Sequence, residues 1–284
     1  MDMMELEEIC VFKPTDAISA VGGGGARAAR ASVDGGAAGA ISGWEVRLVL
    51  EYCDLGTLRE RLDDGALARP DGPRDLGGVL ATALEVARAL AFLHENGVVH
   101  ADLKARNVLL KSNASDPRGF IAKVGDFGLS MQIDPGATYI SNLFQGTMTH
   151  MAPETMEHGR LSRASDVYGY GILLFELMTG QAAFKGVPRA VLGYDVMKMH
   201  RRPAGRAGAV AALAPPFRVR WWWPRPHAGG GEGHRVVEFP NSCPQEFADL
   251  AALCWHPVPD QRYAAAPLPP PLAAALPTIN FEGG

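Results

Sequence analysis

Apolar residues fall in blocks along the chain, and the spacing inside each block predicts its backbone. From Leu80, apolar positions recur at Leu84, Ala87 and Ala91, the stripe of an amphipathic helix that Gly97 closes. Asp166 to Thr179 is apolar nearly all round, which predicts a helix buried on every side and ended by Gly180. Thr57 and Glu60 have the spacing of a capping box and predict a short helix stopping near Gly65. Ser242-Cys243-Pro244 opens another helix, with proline in its first turn and Phe247, Leu250 and Cys254 on one face. Trp44 to Cys53 is apolar and β-branched enough for a strand, and Ile9 to Phe12 and Ile121 to Val124 are strand-like as well. The pattern is mostly helical, with a strand region near the front.

Three segments break that logic. Residues 17–43 are Ala/Gly-rich with a run at Gly22 to Gly25, residues 204–235 mix Ala, Arg and Pro with Trp221-Trp222-Trp223, and residues 264–278 are Ala/Pro. Each reads as loop or disorder, because such composition buries too little to offset the entropy of ordering. The chain has 284 residues, 47% of them hydrophobic, so a sizeable core is within reach. A net charge of −4 gives no basic field for nucleic acid or an anionic membrane. Cys10, Cys53, Cys243 and Cys254 lack metal-ligand spacing and read as reduced, half-buried thiols of a cytoplasmic protein. The start, Met1-Asp2-Met3-Met4-Glu5, carries acids where a signal peptide is basic. The most apolar stretch is taken to be Tyr168 to Met178, short of the ~20 residues a spanning helix needs, so a soluble protein without a membrane partner is expected.

The chemistry lies in five short motifs. His100-Ala101-Asp102-Leu103-Lys104-Ala105-Arg106-Asn107 comes first, and Asp126-Phe127-Gly128 follows the strand-like Ile121 to Val124. Next come Ala152-Pro153-Glu154, then Asp166-Val167-Tyr168-Gly169-Tyr170-Gly171, then Cys254-Trp255-His256-Pro257 with Arg262. In this order and at these gaps they resemble the catalytic loop, metal-binding turn, activation-segment end, buried helix and closing motif of protein kinases. The implied fold is α+β and protein kinase-like, with a mostly helical C-terminal lobe and an incomplete β-sheet N-terminal lobe.

The resemblance implies roles residue by residue. Phosphoryl transfer needs a carboxylate beside the attacking hydroxyl and oxygen ligands for a metal. Asp102 would orient and deprotonate the hydroxyl, Lys104 would neutralise the moving group, and Thr147 would bond both. Asn107 and Asp126 would hold Mg2+ on ATP. Glu51 and Cys53 would bond adenine from the hinge, above Leu109, with Leu50 as gatekeeper. His100, Phe127 and Gly128 complete the motifs. Asp166 would hold the loop from behind, and Glu154 would pair with Arg262. Lys104 and Gly146-Thr147 follow the serine/threonine pattern, while Glu51-Tyr52-Cys53, Gly56-Thr57-Leu58 and Cys254-Trp255 resemble the tyrosine-kinase-like branch. Protein substrates are implied, and a regulatory protein partner stays open. Ala101 stands where many kinases have an arginine that binds an activation-loop phosphate, so the chain is of the non-RD type.

The front of the chain departs from that pattern. No Gly-rich loop of the G-x-G-x-x-G-x-V type is present, and Lys13 is the only lysine before Lys104. Lys13 follows a strand that matches the one just before the hinge strand, so it is not the phosphate lysine. The earlier strands and the glutamate-bearing helix are expected upstream of Met1 or not at all. The expected division is residues 1–53 as partial N-terminal lobe and hinge with the insertion 17–43, residues 54–263 as C-terminal lobe with the insertion 204–235, and 264–284 as an Ala/Pro-rich tail. Two functions are carried forward: a serine/threonine protein kinase, weakly active in this form, and a pseudokinase or scaffold module.

Overall fold

The computed structural model describes residues 6–12, 45–70, 74–203, 217–221 and 235–262. The chain divides between Tyr52 and Cys53 into a smaller and a larger compact unit. In the smaller, β1 (Leu6–Phe12) runs antiparallel to β2 (Glu45–Leu50), with Ile9 opposite Leu48 and Val11 opposite Val46. The expected front strands are therefore partners. Lys13 and Gly22 to Gly25 lie outside the described residues.

The larger unit is built on helices. α1 (Leu58–Asp63) starts in the anticipated capping box: Glu60 N–H donates to Thr57 Oγ1 at 3.2 Å, and Thr57 N–H donates back to the Glu60 carboxylate at 2.9 Å. α2 (Leu76–Glu95) begins a turn earlier than its stripe suggested. Its most deeply buried positions are Val79, Ala83, Val86 and Leu90, while Leu80 and Ala91 lie at the margin of that face. Leu84 and Ala87 of the expected stripe are buried as well. Among the described residues α2, not Tyr168–Met178, is the helix long and apolar enough to cross a membrane, and more than half of that stretch is buried in this unit.

Three short ribbons follow in the larger unit. β3 (Val98–Val99) pairs with β6 (Met131–Gln132), β4 (Val108–Ser112) pairs with β5 (Phe120–Val124), and β7 (Phe217–Trp221) pairs with β8 (Arg235–Phe239). β7 corrects the reading of residues 204–235 as loop throughout. Phe217-Arg218-Val219-Arg220-Trp221 alternates apolar with charged residues, the period of a strand, and it registers Phe217 against Phe239.

α3 (Pro153–His158) ends in Gly159, and α4 (Arg163–Thr179) starts one turn ahead of Asp166 because Ser162 caps it with Ser165. Every residue of α4 from Ser165 to Met178 is buried, and Gly180 ends it in the left-handed region at φ 70°. Among the described residues of this unit α5 (Arg189–Met197) and α6 (Gln245–Cys254) follow. Pro244 is the cap of α6 rather than part of its first turn, and Phe247, Leu250 and Cys254 do share its buried face. One core joins α2, α4, α6, β4 and β5, with Phe239 of β8 between Phe175 and Trp255 at ring distances of 5.9 and 6.3 Å. Each buried leucine of α4 contributes about 1.5–3 kcal/mol. Cys243 and Cys254 are buried more deeply than composition suggested, and burial pushes both thiols up to about 12.

Candidate active site

Asp166 sits in the first turn of α4, where the helix dipole favours a carboxylate. Its Oδ2 accepts from His100 N–H at 2.8 Å, its Oδ1 accepts from Ala101 N–H at 2.8 Å, and His94 Nε2 donates to Oδ2 at 2.9 Å. Those bonds hold the loop between β3 and β4 and fix Ala101 at φ 70°. A left-handed alanine costs about 1–2 kcal/mol, which the bonds to Asp166 offset.

His100 is fully buried and ties this loop to the Asp126 turn. Its Nε2 donates to Gly125 O at 3.0 Å and its Nδ1 accepts from Asp102 N–H at 3.3 Å, so the proton belongs on Nε2. Gly125 N–H then donates to Asn107 O at 2.8 Å, and the Phe127 ring lies 5.3 Å from the His100 ring. Asp126 therefore stands beside the residue bonded to Asn107. Its backbone is left-handed at φ 60°, and the turn Phe127–Leu129 starts from it. Gly128 runs close by: a Cβ there would stand 3.3 Å from Asp126 Oδ1.

The Asp102 carboxylate is held from three sides. Thr147 N–H donates to Oδ1 at 2.8 Å, Asn107 Nδ2 donates to Oδ2 at 3.2 Å, and Lys104 Nζ pairs with Oδ2. Lys104 Nζ also donates to Thr147 Oγ1 at 2.8 Å. Burial pushes the Asp102 carboxyl up, but the bonds from Lys104 and Thr147 outweigh it and hold the group below the usual carboxylate range. Asn107 Nδ2 donates to Asp102 O at 2.8 Å too, which orients the amide and leaves its oxygen on the opposite edge. A pocket bounded by Asp102, Gln145, Thr147, His150 and Met151 opens on the Thr147 side.

Glu154 and Arg262 form a two-pronged pair at 2.6 and 2.7 Å, with the guanidinium side chain wholly buried. Such a pair is far costlier to break, at roughly 3–5 kcal/mol, than it is to replace. It ties the end of the Thr147 segment to the turn after α6.

The donor set suits one kind of metal. Among the described residues no three His, Cys, Asp or Glu side chains group as a metal site. Asn107 and the exposed Asp126 offer two oxygens, which fits a hard divalent cation that takes its other ligands from water and phosphate. Leu109 pairs with Lys123 across β4 and β5 and is half-buried. Leu50 and Glu51 belong to the smaller unit and Cys53 to the larger; Leu50 is exposed and Cys53 half-buried. Sequence reasoning missed His94, Ser165 and Gly125. His94 had one signal, a histidine on an otherwise apolar helix face; Ser165 and Gly125 act through contacts that spacing does not encode.

The family model described as "Protein kinase domain" matches residues 42–268. Over shorter stretches the chain is similar to three proteins of Arabidopsis thaliana. It is 46% identical over 104 residues to a probable LRR receptor-like serine/threonine-protein kinase, covering 36% of this chain and 16% of that one. It is 38% identical over 140 residues to calmodulin-binding receptor-like cytoplasmic kinase 2, covering 47% and 32%. It is 39% identical over 137 residues to the receptor-like serine/threonine-protein kinase ALE2, covering 47% and 17%. The matched stretches span about a third or less of the relatives' own lengths.

Proposed function

Because the chain belongs to the protein kinase domain family, we propose that it transfers the γ-phosphoryl group of ATP to serine and threonine hydroxyls of protein substrates. The observation that carries this reading is the Asp102 carboxylate, held by Thr147, Asn107 and Lys104 on a loop clamped from behind by Asp166. ATP supplies the phosphoryl group when bound, and a divalent ion, proposed as Mg2+, screens its charge. Asn107 and Asp126 would hold that ion. Leu50, Glu51, Cys53 and Leu109 would hold the adenine.

Asp102 acts first by orientation. A carboxyl held below its usual range is a weak proton acceptor in the ground state, so it points the substrate oxygen and takes the proton only as the oxygen becomes acidic. Lys104 places a cation where negative charge develops, and Thr147 keeps that cation from collapsing entirely onto Asp102. The hydroxyl specificity is read from Lys104 and the Gly146-Thr147 pair, and two of the three named relatives are described as serine/threonine-protein kinases. The buried, reduced thiols fit a cytoplasmic setting.

Transfer by this chain is proposed to be weak. The sequence offers neither a Gly-rich phosphate loop nor a lysine before Lys104 other than Lys13. Since phosphoryl transfer rests on positioning and charge, that deficit removes most of the rate. Radiolabel transfer to a serine/threonine peptide, run beside a Mg-ATP thermal shift, tests both parts. The expected result is a shift with slow transfer that Asp102→Asn abolishes. A shift with no transfer at all would favour the scaffold reading, and rapid transfer would overturn the proposed deficit.

A further inference from the structure

The turn from Thr147 to Met151 carries a buried titratable side chain that the transfer chemistry does not use. His150 N–H and Met151 N–H both donate to Thr147 O, at 2.8 and 2.9 Å, which closes the turn. The His150 side chain is buried, and α4 passes close to its backbone: a Cβ at Gly169 would stand 3.5 Å from His150 O. The ring Nδ1 lies 2.9 Å from Thr149 Oγ1. Among the described residues Nε2 has no hydrogen-bond partner; it faces Glu176 Oε2 of α4 at 3.8 Å.

Glu176 is met just as loosely on that side. Its Oε1 accepts from Ala183 N–H at 2.8 Å, but its Oε2 stands 3.6 Å from Arg59 Nη1 of α1, beyond hydrogen-bond reach like His150. Arg59 directs Nη2 to Gly180 O and to Asp63, and its Nη1 and Nε are buried with no partner among the described residues. Two buried donors thus surround one carboxylate oxygen without closing on it. Unpaired buried polar atoms cost free energy, so a change of state that closes the gap is favoured. Arg59 keeps its charge at any ordinary pH. Burial raises the Glu176 carboxyl, yet His150, Ala183 N–H and Arg59 bring it below the usual range, so it too stays charged at neutral pH. An imidazole is the group of the three whose class changes charge between pH ~5 and pH ~8.

We propose that His150 is a positioning residue for the protein substrate: on taking a proton from solvent it closes on Glu176 and fastens the Thr147 turn to α4. A shift of about 1 Å brings Nε2 to the length of a charge-assisted hydrogen bond. The same turn bears on the transfer site, since Thr147 N–H donates to Asp102 Oδ1 and Thr147 Oγ1 accepts from Lys104 Nζ, each at 2.8 Å. Asp102 and Asp166 border the pocket that His150 lines, but each is already held by donors of its own, and α3 contributes the uncharged Thr155 there. Glu176 is therefore the carboxylate left for a protonated His150. The inference rests on the transfer reading for the identity of the substrate alone.

The experiment uses the full chain labelled with 15N and follows the Thr147 amide resonance from pH ~5.5 to pH ~8, the range in which imidazoles titrate. A step is expected in the unchanged chain and is expected to vanish in His150→Gln, which stays polar and takes no proton. His94 and His100 remain in both chains, so a step that they cause persists in the variant. Affinity for a fluorescein-labelled serine/threonine peptide, read by anisotropy without ATP, should be at least about fivefold tighter at pH ~6 than at pH ~8 in the unchanged chain and equal at both in the variant. If His150→Gln does not fold, His150→Phe, which keeps a ring, takes its place. A flat Thr147 resonance in the unchanged chain, an equal step in both chains, or a peptide affinity indifferent to pH would each overturn the proposal. Neither readout needs phosphoryl transfer, so their failure leaves the transfer reading standing and a chain without transfer can still pass them.

Discussion

Asp102 illustrates how one side chain is set by competing terms. Burial raises its carboxyl, yet the bonds from Lys104 and Thr147 win, and the folded value lies below the ordinary 3.8. A depressed carboxyl contributes stability that is fully present above the unfolded value and drains away as pH falls through the folded one. Glu176 behaves alike: burial raises it, but His150, Ala183 N–H and Arg59 bring it below the ordinary 4.5. Both contributions should therefore be intact at neutral pH and lost only in the acid range below about pH 4.5. Denaturant midpoints from pH 7 down to pH 3 check this. The wild-type chain should lose its advantage over Asp102→Asn only at the acid end; an advantage already gone at pH 6 would contradict the assignment. Most of this arrangement was legible, because His100, Asp102, Lys104, Asn107, Asp126 and Asp166 stand in motifs that resemble those of protein kinases. His94 was not, since its partner Asp166 is 72 positions away.

Among the elements, α4 shows packing overruling propensity. Its apolar run made a buried helix predictable, and glycines at 169 and 171 look at first like weak points in it. The structure explains them. A Cβ at Gly171 would stand 2.8 Å from Cys254 Cβ and 3.1 Å from Ala251 O of α6, atoms fixed to the backbone that cannot rotate aside. Gly171→Ala gains up to about 1 kcal/mol in helix propensity but forces α4 and α6 apart, at roughly 1–3 kcal/mol. Net destabilisation by about 1 kcal/mol is expected, read as a lower urea midpoint with an unchanged slope. A raised midpoint would show that the two helices are looser than this contact implies. β7 was misread for the opposite reason: the composition around it masked a five-residue alternation, and its pairing with β8 is a long-range fact that no local pattern carries.

At the scale of the molecule, the segment 204–235 poses the sharpest test of whether the larger unit is cooperative. On its near side Arg202 donates to Trp255 O at 3.1 and 2.9 Å, and Pro203 is buried. On its far side Phe239, 1% exposed, packs between Phe175 of α4 and Trp255. Both sides thus meet on Trp255, within a buried core that runs from Leu58 to Trp255. If that core is one cooperative body, a cavity at Phe239 must weaken elements remote from it. Phe239→Ala removes an aromatic ring from a closed site and should cost about 3–5 kcal/mol. Native-state hydrogen exchange under conditions that report stability should show the same loss at amides of α2, which Phe239 does not touch through a ring contact, as at amides of α6. Protection lost in β8 and α6 but kept in α2 would mean instead that the closing segment opens by itself, and the larger unit would then have to be described as two foldons sharing α4.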